Sequence, residues 1–463
     1  MLSFLLATTL AAAPAPRAVP GADPIVHIPR LDALQGLYGF MTRAGMQSVM
    51  MRPANWNAEL HPFFTVDPLH PETLTSVGID PAGATTVSFI RRGKVSCTRL
   101  ADPKRFQARA EETLKAEGEP KTATAQGMTT VIAPRGPGRA GYVLKGQEAC
   151  AFASLYDDED LLKATVKLMG KAPVPDARLG KLPGGVFLLQ GAHVVGLDGT
   201  SNGLQAEGTA SKLPLPPFKA AASSPYGEMK PGGLLFARAQ VAPAGLSPAV
   251  GSVRGSIQQL CTACPPDSVE AMTKAITPQL TGQVLMHVDS VKVNASLRTP
   301  EGRFFAPRQA LAAEVKDAAA VKAALAPLAK FPGAQALADG YALTLKGGTL
   351  FIRQKGQQLV LGNDEAVVQN LLAALPVRGA KLPRTVDFTV DPKRVAAALS
   401  QVSLMDIVSD QQLAALFAMS SELGPLLASS ERITGWLDSA PGNTHRFSIT
   451  WTLPTLSESP LSP

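Results

Sequence analysis

Lys145-Gly146-Gln147 and Lys355-Gly356-Gln357 repeat one tripeptide in one setting. Tyr142-Val143-Leu144 precedes the first copy and Thr349-Leu350-Phe351-Ile352 the second, and another apolar segment follows each. Asp158-Glu159-Asp160-Leu161-Leu162 or Asp364-Glu365-Ala366-Val367-Val368 then opens a helical pattern. Two apolar runs joined across a glycine read as a hairpin. Acidic residues ahead of apolar ones at helical spacing read as a helix start. A second echo pairs Asp102-Pro103-Lys104-Arg105-Phe106 with Asp391-Pro392-Lys393-Arg394-Val395. Each places Asp at an N-cap and Pro at the first helical position. A third pairs Pro183-Gly184-Gly185 with Pro231-Gly232-Gly233, both leading into apolar runs. The reading is a strand–strand–helix design used at least twice.

Working outward, short turns between most strand-like runs favour antiparallel hairpins. The expected fold class is α+β, with two related halves, each a largely antiparallel sheet with helices packed on one face. Residues 1–15 read as a signal peptide and 16–30 as a spacer. The first α+β domain is expected over 31–211, a Pro-rich linker over 212–231, a second α+β domain over 232–453 and a disordered tail over 454–463. Leu31, Leu34, Leu37, Tyr38, Met41 and Val49 recur at mainly helical spacing, which predicts one amphipathic helix ending before Pro53. Met46, Met50 and Met51 on that helix offer thioethers to Cu(I), but adaptable core packing is their commoner role. A second long helix is predicted near Gln411–Leu427, with a break at Gly424-Pro425.

Composition narrows the function classes. Hydrophobic residues at 45% and charged residues at 17% describe a folded chain, and 463 residues suffice for two cores. The net charge of +7 is dispersed, and five Tyr with three Trp offer few stacking platforms, so nucleic-acid binding is disfavoured. Met1 to Ala15 is an apolar stretch ending in small residues, without a basic residue before Arg17; its length suits a secretory signal rather than a membrane span. No later stretch offers 18 uninterrupted apolar residues, so no transmembrane helix is expected. Four cysteines, Cys97, Cys150, Cys261 and Cys264, suit an exported protein that forms disulfides, and four allow three pairings. Cys261-Thr262-Ala263-Cys264 can close locally, which leaves Cys97 with Cys150. That Cys-x-x-Cys ends an apparent helix, the wrong end for stabilising a thiolate, so a structural bridge is favoured over a redox site.

Familiar catalytic patterns fail on context. Gly199-Thr200-Ser201-Asn202-Gly203 matches a hydrolase elbow, but a strand rather than a helix follows and Asn202-Gly203 suits a hairpin. Gly136-Pro137-Gly138-Arg139-Ala140-Gly141 matches a dinucleotide loop but leads into Tyr142-Val143-Leu144, another strand. His27, His61, His70, His193, His287 and His445 are scattered; His61 and His70, near Asp67, are the least implausible metal pair, and ordinary roles are preferred. Asp157-Asp158-Glu159-Asp160 lacks the spacing of a calcium loop. Asn294-Ala295-Ser296 is a glycosylation sequon inside an apparent strand. No cofactor, metal or catalytic residue is assigned.

Gly78-Ile79-Asp80-Pro81, with the strand, small turn, strand and Asp/Glu-started helix around Lys355–Leu375, resembles a loosely defined class of exported bacterial proteins of unknown function. Members of that class carry a signal peptide and two related α+β halves. The resemblance implies a location in the periplasm, at the cell surface or outside the cell, and brings no catalytic residues. The leading expectation is a non-enzymatic envelope or periplasmic protein that binds a protein or another envelope component. A carrier holding a lipid or other hydrophobic ligand between helices and sheet is the first alternative. A hydrolase assembled only in three dimensions is the second.

Overall fold

In the computed structural model both Lys-Gly-Gln segments are two-residue hairpin turns, Lys145 pairing Glu148 and Lys355 pairing Gln358. Gly146 and Gly356 stand first in these turns with φ of +57° and +58°, a left-handed conformation that costs glycine nothing. The structure describes residues 15–90, 93–156, 159–174, 176–179, 182, 184–211, 226, 232–242, 251, 254, 255, 257, 258, 261, 264–293, 305–375, 384–401, 411–440 and 444–455. The chain divides into two compact units, Met1–Ala210 and Ser211–Pro463.

The N-terminal unit runs β1 (Ile25–Ile28), α1 (Leu34–Gly45), α2 (Pro53–Asn57), α3 (Pro71–Ser76), β2 (Thr85–Ile90), β3 (Gly93–Arg99), α4 (Pro103–Glu117), β4 (Lys121–Ala125), β5 (Met128–Arg135), β6 (Gly138–Lys145), β7 (Glu148–Ser154), α5 (Glu159–Met169), β8 (Val186–Gln190), β9 (His193–Thr200) and β10 (Gly203–Ser211). Its strands lie in the order β4-β5-β6-β7-β3-β2-β1-β8-β9-β10, with every pairing antiparallel. Residues 16–30, expected to be a spacer, thus contain β1, which joins β2 to β8. Ile25, Val26 and Ile28 are β-branched, as a strand favours.

The C-terminal unit runs β11 (Leu235–Gln240), α6 (Pro266–Ile276), β12 (Leu280–Val293), β13 (Phe305–Val315), α7 (Ala318–Leu325), β14 (Ala334–Leu337), β15 (Gly340–Leu345), β16 (Gly348–Lys355), β17 (Gln358–Gly362), α8 (Glu365–Ala374), β18 (Val386–Val390), α9 (Pro392–Leu399), α10 (Gln411–Ser429), β19 (Arg432–Ala440) and β20 (Thr444–Thr452). Its strand order is β14-β15-β16-β17-β13-β12-β11-β18-β19-β20, again antiparallel throughout. Adding ten to each label of the first order gives the second. The match extends to single bonds: Leu100 N–H donates to Gln147 O at 2.8 Å, and Val315 N–H to Gln357 O at 2.9 Å. Two residues on, Asp102 caps α4 and Asp317 caps α7, each carboxylate accepting from two backbone N–H groups.

The α+β class holds in each unit, an antiparallel sheet with helices packed on a face. Leu34, Tyr38 and Met41 of α1 and Phe106, Ala110 and Leu114 of α4 share one cluster with Val131, Ala133, Ala140, Tyr142, Ala149 and Ala151 of the sheet. Complete burial of a side chain such as Phe106 contributes roughly 2–3 kcal/mol. The alternate residues Val143, Cys150 and Phe152 point the other way, where α5 adds Leu161 and Met169. The C-terminal unit repeats this plan. Helices α6 and α7 pack with Ala313, Val315, Ile352 and Leu359, and α8 packs with Ala310, Ala312 and Val360.

Two other echoes do not share that equivalence. Asp102 and Asp391 both cap helices as expected. However, α4 follows β3 while α9 follows β18, so the second resemblance is a shared helix start rather than a shared place. Likewise β8 and β11, which follow the two Pro-Gly-Gly segments, hold different positions in the order. The helix expected to break at Gly424-Pro425 is continuous over Gln411–Ser429. Most of residues 1–15, most of the 212–231 linker, Asp157, Asp158, the 294–296 sequon and residues 456–463 of the tail lie outside the described residues.

Candidate interaction surface

The helix predicted to reach Val49 stops at Gly45. A Cβ at Gly45 would meet the Arg52 backbone and side chain at 3.0 Å, so glycine allows the chain to return across the helix end. Arg52 Nε donates to Gly45 O at 3.2 Å, satisfying a terminal carbonyl. A 3₁₀ turn over Val49–Met51 follows, and Pro53 then starts α2. Two side chains bind α2 to that turn: Asn55 Nδ2 donates to Val49 O at 2.6 Å and Trp56 Nε1 to Met50 O at 3.0 Å.

Beneath this corner, Met51 packs against the N-terminal core. In the orientation that satisfies its amide, the buried Asn57 donates to Tyr38 Oη, Pro53 O and Val66 O at 3.1–3.2 Å. On the outer side Met46 is 67% exposed, Val49 52%, Met50 56% and Trp56 50%. Core packing, expected for Met46 and Met50, is therefore corrected: with α1 ended at Gly45, their side chains no longer continue its buried stripe. Four large apolar side chains are exposed within eleven residues of chain, a local density that scattered surface residues do not show. No acidic residue lies between Asp32 and Glu59, whereas Arg43 and Arg52 do, and Glu59 is ion-paired with Lys94 at 3.1 Å. The signals present in the sequence were Gly45, Pro53 and this run without acids.

The residues weighed for chemistry have structural surroundings. Cys97 and Cys150 form a disulfide across the directly paired strands β3 and β7, and Cys261 with Cys264 forms the second. His61 is buried, stacked on Phe64 at 4.9 Å and edge-on to Phe106 at 5.9 Å. Its Nδ1 accepts from the Phe63 N–H at 3.2 Å, which places the ring proton on Nε2. Burial, and secondarily the charge of Lys94, pushes its pKa down to about 3. His70 is exposed beside Glu72 at 3.3 Å, so the least implausible metal pair occupies two unlike environments. Tyr38 and Tyr142 are pushed up by burial, then by Asp67 and Glu111 respectively. Among the described residues no group of three or more His, Cys, Asp or Glu could hold a metal ion.

The other sequence motifs resolve as turns. The 199–203 segment joins β9 to β10, with Thr200 opposite Gly203, and the 136–141 segment turns β5 into β6. In the C-terminal unit a cleft of about 410 Å³ is lined by Ala318, Ala319, Lys322, Asp339, Tyr341 and Gln354, among others. Asp339 is ion-paired with Arg353 at 2.7 Å, and Gln354 Nε2 donates to Ala318 O at 2.7 Å. Asp339 is thus engaged with β16 and Gln354 with α7. Among the described residues no helix is long and apolar enough to cross a membrane. No protein-family model, no curated protein and no solved structure matches the chain.

Proposed function

We propose that the chain is an exported, non-enzymatic envelope or periplasmic protein that acts by binding a protein or another envelope component. The observation that carries this reading is the exposed corner of Met46, Val49, Met50 and Trp56, held by backbone-directed hydrogen bonds, with Met51 packed on the buried cluster of the unit. Those bonds fix the backbone of the corner before contact, so binding need not order it. Both disulfides fit an oxidising compartment and support export. We also propose that the two units descend from one duplicated module. Their common strand order, their Lys-Gly-Gln turns and their matching Asp caps support that descent.

Photo-crosslinking tests the binding reading. A benzophenone side chain installed at Met50 in the full chain, irradiated in producing cells, is expected to give a discrete adduct. The control is Val174, an exposed apolar residue outside the corner (75% exposed). Equal labelling from the two positions would remove the case for a dedicated surface.

A further inference from the structure

We infer that the Met46–Trp56 corner docks onto the surface of a lipid bilayer carrying anionic headgroups. This rests on the proposed binding role and names the envelope component. Size favours lipid over protein. At the exposures observed, each of the four side chains presents on the order of 100 Å², roughly 400 Å² together. A stable protein–protein interface needs about 800 Å² from each partner and a shaped counterpart. A bilayer boundary requires neither, because its headgroup and acyl region adapts to an apolar wedge entering about 5–10 Å.

The chemistry of the corner points the same way. Tryptophan is enriched at membrane–water boundaries, where its ring lies among headgroups. The Trp56 Nε1–H is already bonded to Met50 O, so the indole carries no unmet donor into the lipid. Met46 and Met50 are unbranched and adaptable, suited to a surface with no fixed shape. Arg52 flanks the wedge, Arg43 is turned to Ser201 O and Asn202 Oδ1, and no acid lies between Asp32 and Glu59 in the chain. Arg52 is exposed beside the apolar side chains, where a guanidinium can pair with phosphate.

The test is co-sedimentation of the full, disulfide-bonded chain with vesicles. One set contains phosphatidylglycerol and phosphatidylethanolamine, the other only phosphatidylcholine. Wild type should partition at least about tenfold more strongly into the anionic set, and about 0.5 M salt should weaken that binding several-fold. Trp56→Ala and Met50→Ser, both at exposed positions, should each lower partitioning about three- to tenfold while leaving the circular dichroism spectrum unchanged. Arg52→Gln should reduce the preference for anionic vesicles and spare the remaining binding to neutral ones. Partitioning that ignores all three substitutions overturns the inference. Failure to bind vesicles while the Met50 crosslink persists to a protein overturns the lipid assignment and leaves the binding role standing. Loss of both signals ends the two together.

Discussion

Mild acid should destabilise the N-terminal unit through one imidazole. His61 is enclosed by Phe63, Phe64 and Phe106, and burial holds its folded pKa at about 3. In the unfolded chain the same ring titrates near 6.5. Below that pH the unfolded state takes up a proton that the folded state refuses. Stability therefore falls steadily as the pH drops from about 6.5 to about 3 and levels off beneath. Linkage between these two values gives a loss of about 2 kcal/mol at pH 5 and about 3 kcal/mol at pH 4. Asp32, Asp176 and Asp364 are each held below the usual carboxylate range, first of all by hydrogen bonds from Arg30, Arg178 and Arg308. Their contributions disappear only at lower pH, so the interval from pH 7 to 5 isolates histidine. The assay is urea unfolding at both pH values for wild type and for His61→Asn, which retains an acceptor for the Phe63 N–H but does not titrate there. Trp56, the single tryptophan of the N-terminal unit, provides one probe and circular dichroism another. The variant should be less stable at pH 7 yet lose about 2 kcal/mol less than wild type on going to pH 5. Equal losses, or a His61 ring proton resonance that shifts with a midpoint near 6.5 in the folded protein, would refute the reasoning.

Two further outcomes concern pairs of residues on neighbouring strands. Arg238 is 5% exposed and paired with Asp387 across β11 and β18 through bonds of 2.5–3.0 Å, with a further bond to Tyr226 O. Arg238→Met should cost about 3 kcal/mol, at the lower end for a buried pair because Asp387 keeps some contact with water; adding Asp387→Leu should recover most of it in thermal unfolding. The Cys97–Cys150 bridge closes 53 residues and the Cys261–Cys264 bridge only 3. On chain entropy, Cys97→Ala with Cys150→Val should cost about 4 kcal/mol and removal of the local bridge less than about 2 kcal/mol in urea unfolding; equal costs would contradict that account.

What the sequence revealed depended on how far apart the deciding residues lie. The Lys-Gly-Gln turns were legible because a tight hairpin places its demand on one residue, and only glycine meets φ near +57° without strain. The caps at Asp102 and Asp391 were legible for the same reason, since each carboxylate bonds to N–H groups two and three residues ahead. Strand β1 was not. It has four residues, and its partners Ser88 and Leu189, opposite Ile25, are distant in the chain. The exposed corner was missed differently. Met46, Val49 and Met50 extend a helical apolar pattern, and periodicity alone cannot tell a buried stripe from one that outruns its helix. The deciding fact is the close return of Arg52 over Gly45, which no spacing rule encodes.

The two units also show where specialisation can enter without disturbing a shared strand order. In the N-terminal unit the β1–β2 connection holds α1, α2 and α3 and with them the exposed corner, whereas β8 and β9 meet in a tight turn at Gln190 and His193. In the C-terminal unit the connection at the same place in the strand order, between β18 and β19, holds α9 and α10. Even the disulfide follows this logic. Cys97 and Cys150 stand in the register positions that Ala312 and Val360 fill in the second unit, so a bridge ties in one unit a pairing that apolar side chains occupy in the other. Connections tolerate insertion because they do not carry the pairing of the sheet, and binding residues gather on them for that reason. By this argument the β18–β19 connection, with α9 and α10, is where the C-terminal unit should carry any binding role of its own, just as the α1–α2 corner carries the proposed one in the N-terminal unit.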